Sequence, residues 1–243
     1  MRTIVLALLY VVLAIISLPF LLAELLVRKL NEKSAAKFAL IVVQIVFNTV
    51  MFVSGSKKVI MGRERIPKDV AVMYAANHRG FYDILLAYSL VPNQTAFVSK
   101  DSLKKVPIIG QWMYFLNCEF IDRKDLKQQL SVIISCIAKV KKGYSIYIAP
   151  EGTRSAADTL LPFKEGSFKI AHKSGCPIVP VCVLNTEKAF EESFPWVKKA
   201  KIVIEFGEPV YLDQLDPADK KHVGAYVQNI IAGMYEKNLP LIK

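Results

Sequence analysis

The chain is 243 residues long, enough for one α/β domain with a single core and a short additional segment. A hydrophobic content of 53% and a mean hydropathy of +0.33 are high for a freely soluble domain, and a formal charge of +11 calls for anionic partners. The basic residues are scattered in ones and twos (Lys57-Lys58, Lys104-Lys105, Lys198-Lys199, Lys220-Lys221), with no arginine-rich arm. That pattern argues against nucleic acid and for a membrane surface or a phosphorylated substrate.

The apolar excess lies at the N-terminus. Residues 3–23 carry no charge, and residues 38–56 form a second uncharged run. Each is long enough to cross a hydrocarbon core of about 30 Å as a helix. Residues 1–57 therefore read as a two-helix membrane-binding motif ahead of a domain over 58–243. A cleaved leader fits poorly, because basic residues and a second apolar run follow. Arg28, Lys29, Lys33 and Lys37 lie around the connection, while Lys57, Lys58, Arg63, Arg65 and Lys68 follow the second run. If both helices crossed, one basic set would face outward, against the positive-inside tendency. A hairpin lying on the cytoplasmic face, kinked at Pro19, would put both sets on one side. Monotopic and spanning arrangements both stay open here.

From residue 58 strand-like and helix-like patterns alternate, which predicts an α/β fold, a mixed sheet covered by helices. Short apolar runs place strands at 70–75, 95–99, 118–121, 144–149, 178–183 and 202–206. Pro180 interrupts the fifth, which suggests a sheet edge or a bulge. Leu126, Leu130, Ile133, Ile134, Ile137 and Val140 share one helical face. Asp125 is the N-cap of that helix, Gln128 makes a capping-box-like pair, and Gly143 is the stop. Asp216-Pro217 opens a last helix with Val223, Val227, Ile230, Ile231 and Met234 inward. The four cysteines, Cys118, Cys136, Cys176 and Cys182, show no C-x-x-C pair and read as small buried residues.

Three segments carry chemistry. Asn77-His78-Arg79-Gly80-Phe81-Tyr82-Asp83 follows a strand and opens a helix, where α/β proteins place reactive groups. A histidine titrating near neutrality works best as a base when a carboxylate orients it, and Asp83 can fold back to do so. The two could equally cap the helix independently. Of three histidines only His78 has an aspartate five residues on, and His172 and His222 read as structural or solvent-facing. Phe120-Ile121-Asp122-Arg123 delivers an arginine at a strand end. Pro150-Glu151-Gly152-Thr153-Arg154-Ser155 offers close backbone approach, a hydroxyl and a planar cation suited to phosphate, and Lys100 ends another strand.

In this order, with the apolar Ile178-Val179-Pro180-Val181 and Phe163-Lys164-Glu165-Gly166, these blocks resemble the glycerolipid acyltransferases closely. The resemblance covers most of the chain. It departs from the family pattern at Gly80, commonly serine there, and at Glu165, often basic. It implies transfer of a fatty acyl group from an acyl thioester, acyl-CoA or acyl-ACP (acyl carrier protein), to the sn-2 hydroxyl of 1-acylglycerol-3-phosphate. The product would be phosphatidic acid, with glycerol 3-phosphate or another lysophospholipid as alternative acceptors. By the same resemblance His78 is the general base and Asp83 its orienting partner. Arg123, Arg154 and Lys100 hold the acceptor's phosphate, and Glu151, Gly152 and Thr153 shape that pocket. The oxyanion is expected to find backbone N–H donors beside the first block. The scheme calls for no metal and no cofactor, only a lipid bilayer, the lysolipid and the acyl donor. A hydrolase is disfavoured by the lack of a G-x-S-x-G elbow.

Overall fold

The computed structural model describes residues 2–155 and 159–242. Helix α1 (Arg2–Leu30) and helix α2 (Glu32–Ser54) form the N-terminal hairpin, joined at Asn31, whose Oδ1 accepts from Ser34 N at 3.0 Å. The turn is one residue long, so Arg28, Lys29, Lys33 and Lys37 ride on the helices. Pro19 lies inside α1, which is continuous on both sides of it.

Among the described residues the sheet has seven strands in the order β1-β7-β6-β2-β5-β3-β4. They are β1 (Lys57–Met61), β2 (Met73–Ala76), β3 (Thr95–Lys100), β4 (Glu119–Ile121), β5 (Ser145–Ile148), β6 (Ile178–Leu184) and β7 (Lys201–Phe206). Only the β6–β7 pairing is antiparallel. The sheet is mixed, as expected. Strand β1 lies where sequence showed only a change in composition. It begins with two lysines and pairs on one side alone, against β7, so it lacks the apolar run of an interior strand.

Strand parity sorts the core into two clusters. Tyr74, Phe97, Tyr147, Val179 and Ile204 face one side, with α2, α3 (Phe81–Tyr88) and α4 (Ile109–Phe115) over them. Met73, Ala96, Ile146, Ile178 and Val203 face the other, under α5 (Leu126–Lys141), α6 (Glu165–Ser174) and α8 (Val223–Asn238). Helix α2 is thus part of the globular core, burying Ala39, Leu40, Val43 and Met51 in the first cluster. Helix α1 instead exposes Ile4, Leu8, Ile15, Leu22 and Leu26.

Four sequence expectations need correction. Pro180 sits in β6, between β7 and β2, not at an edge. Ile178 N donates to Val210 O, and by alternation Pro180's nitrogen faces the same neighbour. Gly207 N still donates to Pro180 O at 2.8 Å, and between that bond and the Ile178–Val210 bridge the neighbouring chain carries one extra residue, so the expected bulge is there and the expected edge is not. On α5 the core face is Val132, Cys136 and Val140, while Leu126, Leu130 and Ile134 are exposed. Asp125 does cap α5, accepting from Lys127 and Gln128 N–H, but Gln128 does not turn back to it. Its amide bonds Phe120 O and Asp122 N, tying the helix to β4. The last helix is two, α7 (Pro217–Lys221) and α8, broken at His222.

Candidate active site

The parallel strands β2, β5, β3 and β4 end on the same side of the sheet; Lys100 is the last residue of β3, and the turns after β2, β5 and β4 carry His78, Gly152 and Arg123. This is where an open α/β sheet presents its ligand crevice. Asn77 anchors the first turn: its Nδ2 donates to Val183 O at 2.9 Å, and its Oδ1 accepts from Val183 N at 2.8 Å. The side chain thereby extends the β2–β6 ladder by one rung.

His78 Nδ1 lies 2.7 Å from Asp83 Oδ2. Asp83 is buried and also accepts from Arg79 N at 2.7 Å, from Gly80 N at 3.0 Å and from the Thr186 hydroxyl. So many bonds hold the carboxylate still, and it in turn leaves His78 Nε2 for the cavity that His78 lines. The N–H of Phe81 is engaged too, donating to Glu191 Oε1 at 2.7 Å. The amides of residues 79, 80 and 81 are therefore all taken, so they are not the oxyanion donors that the sequence led us to expect.

The cavity has a volume of about 1010 Å³, at the upper end of the ~300–1,000 Å³ typical of ligand pockets. One end is polar, with His78, Lys100, Thr153 and Arg154. The other is apolar, with Leu13, Val46, Phe47, Trp112, Met113 and Ile133 from α1, α2, α4 and α5. Arg123 also lines it, and burial together with the nearby Arg154 charge pushes its guanidinium down from the ordinary value. Among the described residues neither Arg123 nor Lys100 forms an ion pair, so their charges await an anion. Arg154 is half exposed and meets Glu191 Oε1 at 2.9 Å.

Gly152 adopts φ +73°, a left-handed conformation that favours glycine, and the end of the Lys164 side chain lies against the space where a Cβ would be. Lys164 and Lys169 line the cavity and were not assigned a role from sequence, although Lys164 stands in a segment singled out for its pattern. Glu151 does not line the cavity. Its buried carboxyl has no hydrogen-bond partner, and burial pushes it up to about 7, with the nearby backbone of His78 and Leu161 offsetting part of the shift. Glu165 points away, its carboxylate accepting from Gly224 and Ala225 N–H at the start of α8. His172 and His222 are exposed, and all four cysteines are buried and unpaired.

The site is a strand-end His-Asp pair at the polar end of an apolar cavity, with cations around it, and the chain belongs to the Acyltransferase family. That family's model matches residues 58–184, a segment that runs from β1 through β6. A crystal structure of the 1-acyl-sn-glycerophosphate (LPA) acyltransferase PlsC from Thermotoga maritima shares the fold. It has a TM-score of 0.77 and 26% identity, covering 98% of this chain and 97% of that one. Proteins named 1-acyl-sn-glycerol-3-phosphate acyltransferase are similar over shorter spans. The one from Cocos nucifera is 32% identical over 78% of this chain, and that from Escherichia coli 32% over 65%. The chloroplastic Brassica napus BAT2 is 38% identical over 53% of this chain. The chain spans 38%, 60% and 64% of the lengths of the Brassica, Cocos and Escherichia relatives.

Proposed function

We propose that the protein transfers a fatty acyl group from an acyl thioester to the sn-2 hydroxyl of 1-acylglycerol-3-phosphate, with His78 as general base. The observation that carries this reading is the His78–Asp83 pair, 2.7 Å apart, in an apolar cavity that Lys100, Arg123 and Arg154 also line. His78 Nε2 takes the proton of the acceptor hydroxyl, whose oxygen attacks the thioester carbon. The new C–O bond forms, the C–S bond breaks, and the imidazolium returns its proton to the leaving thiolate. Asp83 stabilises the imidazolium between these steps. Arg123, Arg154, Lys100 and Lys164 hold the phosphate, and the apolar end of the cavity takes the fatty chain. The names of the relatives favour this acceptor over glycerol 3-phosphate or another lysophospholipid.

The hairpin suits a substrate that lives in a bilayer. Thr3 Oγ1 accepts from Val197 N, Tyr10 OH donates to Pro107 O, and Arg28 donates to Phe115 O and Asn117 Oδ1. Helix α1 therefore lies along the domain from end to end with its apolar side outward. That geometry favours a hairpin embedded in one leaflet, on the cytoplasmic face, over two crossings.

The test is acyl transfer by detergent-purified protein, offered acyl-CoA or acyl-ACP with a panel of acceptors. Phosphatidic acid should form with the phosphorylated lysolipid, and His78→Ala should lower the rate by ~10²–10⁴-fold or more. A His78→Ala protein with near-normal turnover would rule out the general-base scheme. No product from folded wild type with any acceptor would move the function to lipid binding.

A further inference from the structure

We propose that Glu191 is a positioning residue that makes the site selective for a phosphorylated acceptor, by fixing Arg154 against the start of α3. The proposal rests on the acyl-transfer reading above and deepens it.

Glu191 stands in the connection between β6 and β7, far in sequence from the His78 and Arg154 segments, yet its carboxylate reaches the turn that carries His78. Oε1 accepts from Phe81 N at 2.7 Å and from Arg154 Nη1 at 2.9 Å. One oxygen thus links the first turn of α3, and with it the His78–Asp83 pair, to the cation offered to the phosphate. Oε2 is buried without a hydrogen-bond partner. It lies 2.6 Å from where a Cβ on residue 80 would be, with its Cδ at 3.0 Å. Gly80 has φ −162° and ψ 179°, extended backbone that any residue adopts, so glycine is needed there for space and not for conformation. The carboxylate occupies that space. Gly80 and Glu191 work as a pair: the missing side chain on one admits the other.

The same connection is docked a second time. Arg79 Nη2 meets Glu187 Oε1 at 2.8 Å and Nε meets Oε2 at 3.2 Å, both side chains buried. Removing the Glu191 carboxylate therefore leaves the connection in place and releases Arg154, which is half exposed and has no other ion-pair partner among the described residues. A free arginine of that exposure loses orientation before it loses charge.

The experiment is steady-state kinetics with 1-acylglycerol-3-phosphate and with 1-monoacylglycerol, the same acceptor without phosphate. Wild type, Glu191→Ala, Glu191→Gln and Gly80→Ala are compared. Glu191→Ala should raise KM for the phosphorylated acceptor about tenfold, as for loss of a charge-assisted bond, with KM for the acyl donor unchanged. The phosphate-free acceptor should be used as before. Glu191→Gln keeps an acceptor for Phe81 N–H and should fall between. Gly80→Ala, which displaces the carboxylate, should match Glu191→Ala, offset slightly by crowding of Glu187 Cα at 3.2 Å. An unchanged or lowered KM for the phosphorylated acceptor in Glu191→Ala, or equal loss with both acceptors, would overturn the proposal while leaving the acyl-transfer reading intact. Wild type inactive with both acceptors would overturn both.

Discussion

Glu151 shows how burial changes what a residue does. The family resemblance implied a wall of the phosphate pocket, while the structure buries the carboxyl without a partner and raises it to about 7 from an ordinary 4.5. The folded state then holds a proton that the unfolded chain has released, so stability is complete below about pH 4.5 and is lost as pH rises toward 7. The loss amounts to about 3 kcal/mol at most. Thermal unfolding of wild type should fall between pH 5 and 8 more steeply than that of Glu151→Gln, and parallel curves would contradict the shift. The contact between His78 and Asp83 was readable from the chain, because a five-residue spacing across a strand-to-helix turn is local geometry. Glu191 was unreadable for the opposite reason. Its partners Phe81 and Arg154 are 110 and 37 positions away, and only the packing of the β6–β7 connection brings them together.

At the scale of elements, α2 carries the main revision. Its uncharged run passes for a membrane segment on composition, yet Ala35, Ala36 and Ala39 are buried and pack close to the domain. Hydropathy cannot separate a helix facing lipid from one facing a core, since both are apolar. The two faces should therefore respond differently. Ala39→Leu overfills the core side and should cost about 1–3 kcal/mol in chemical unfolding. Ile45→Ser, on the exposed side, should leave that stability nearly unchanged but weaken binding to liposomes. Equal, negligible effects on unfolding would mean that α2 is a lipid-facing helix throughout. The α5 stripe teaches the same lesson: Leu126, Leu130 and Ile134 share periodicity with the core face but are exposed, Leu126 and Leu130 at the cavity.

At the scale of the molecule, the two ends of α1 are about 40 Å apart by helix geometry, and both are bonded to the domain. A spanning helix could not touch a single-sided domain at both ends. Single cysteines at Arg2 and Lys29, both exposed and polar, should thus be labelled by an impermeant reagent from the same face of a sealed vesicle. The four native cysteines are buried and should stay silent. Labelling of the two positions from opposite faces would contradict the in-plane arrangement. On the proposed in-plane arrangement the polar end of the cavity, with Lys100, Arg123 and Arg154, would lie beside the head groups, while residues of α1 and α2 line its apolar end.

The sequence by itself determined the alternation of strands and helices, the apolar N-terminus, the His-x4-Asp turn and the family blocks. Each of these is a local pattern, written within a few residues by period, spacing or side-chain type. Tertiary structure alone decided which face of α2 and α5 is core, why Pro180 is tolerated inside the sheet, and where a lysine-led strand β1 finds its partner. It also decided that Glu165 serves α8 while Glu191 serves the site. Those outcomes depend on contacts between segments distant in the chain, where a carboxylate's role is set by the N–H groups and cations that folding brings within 3 Å.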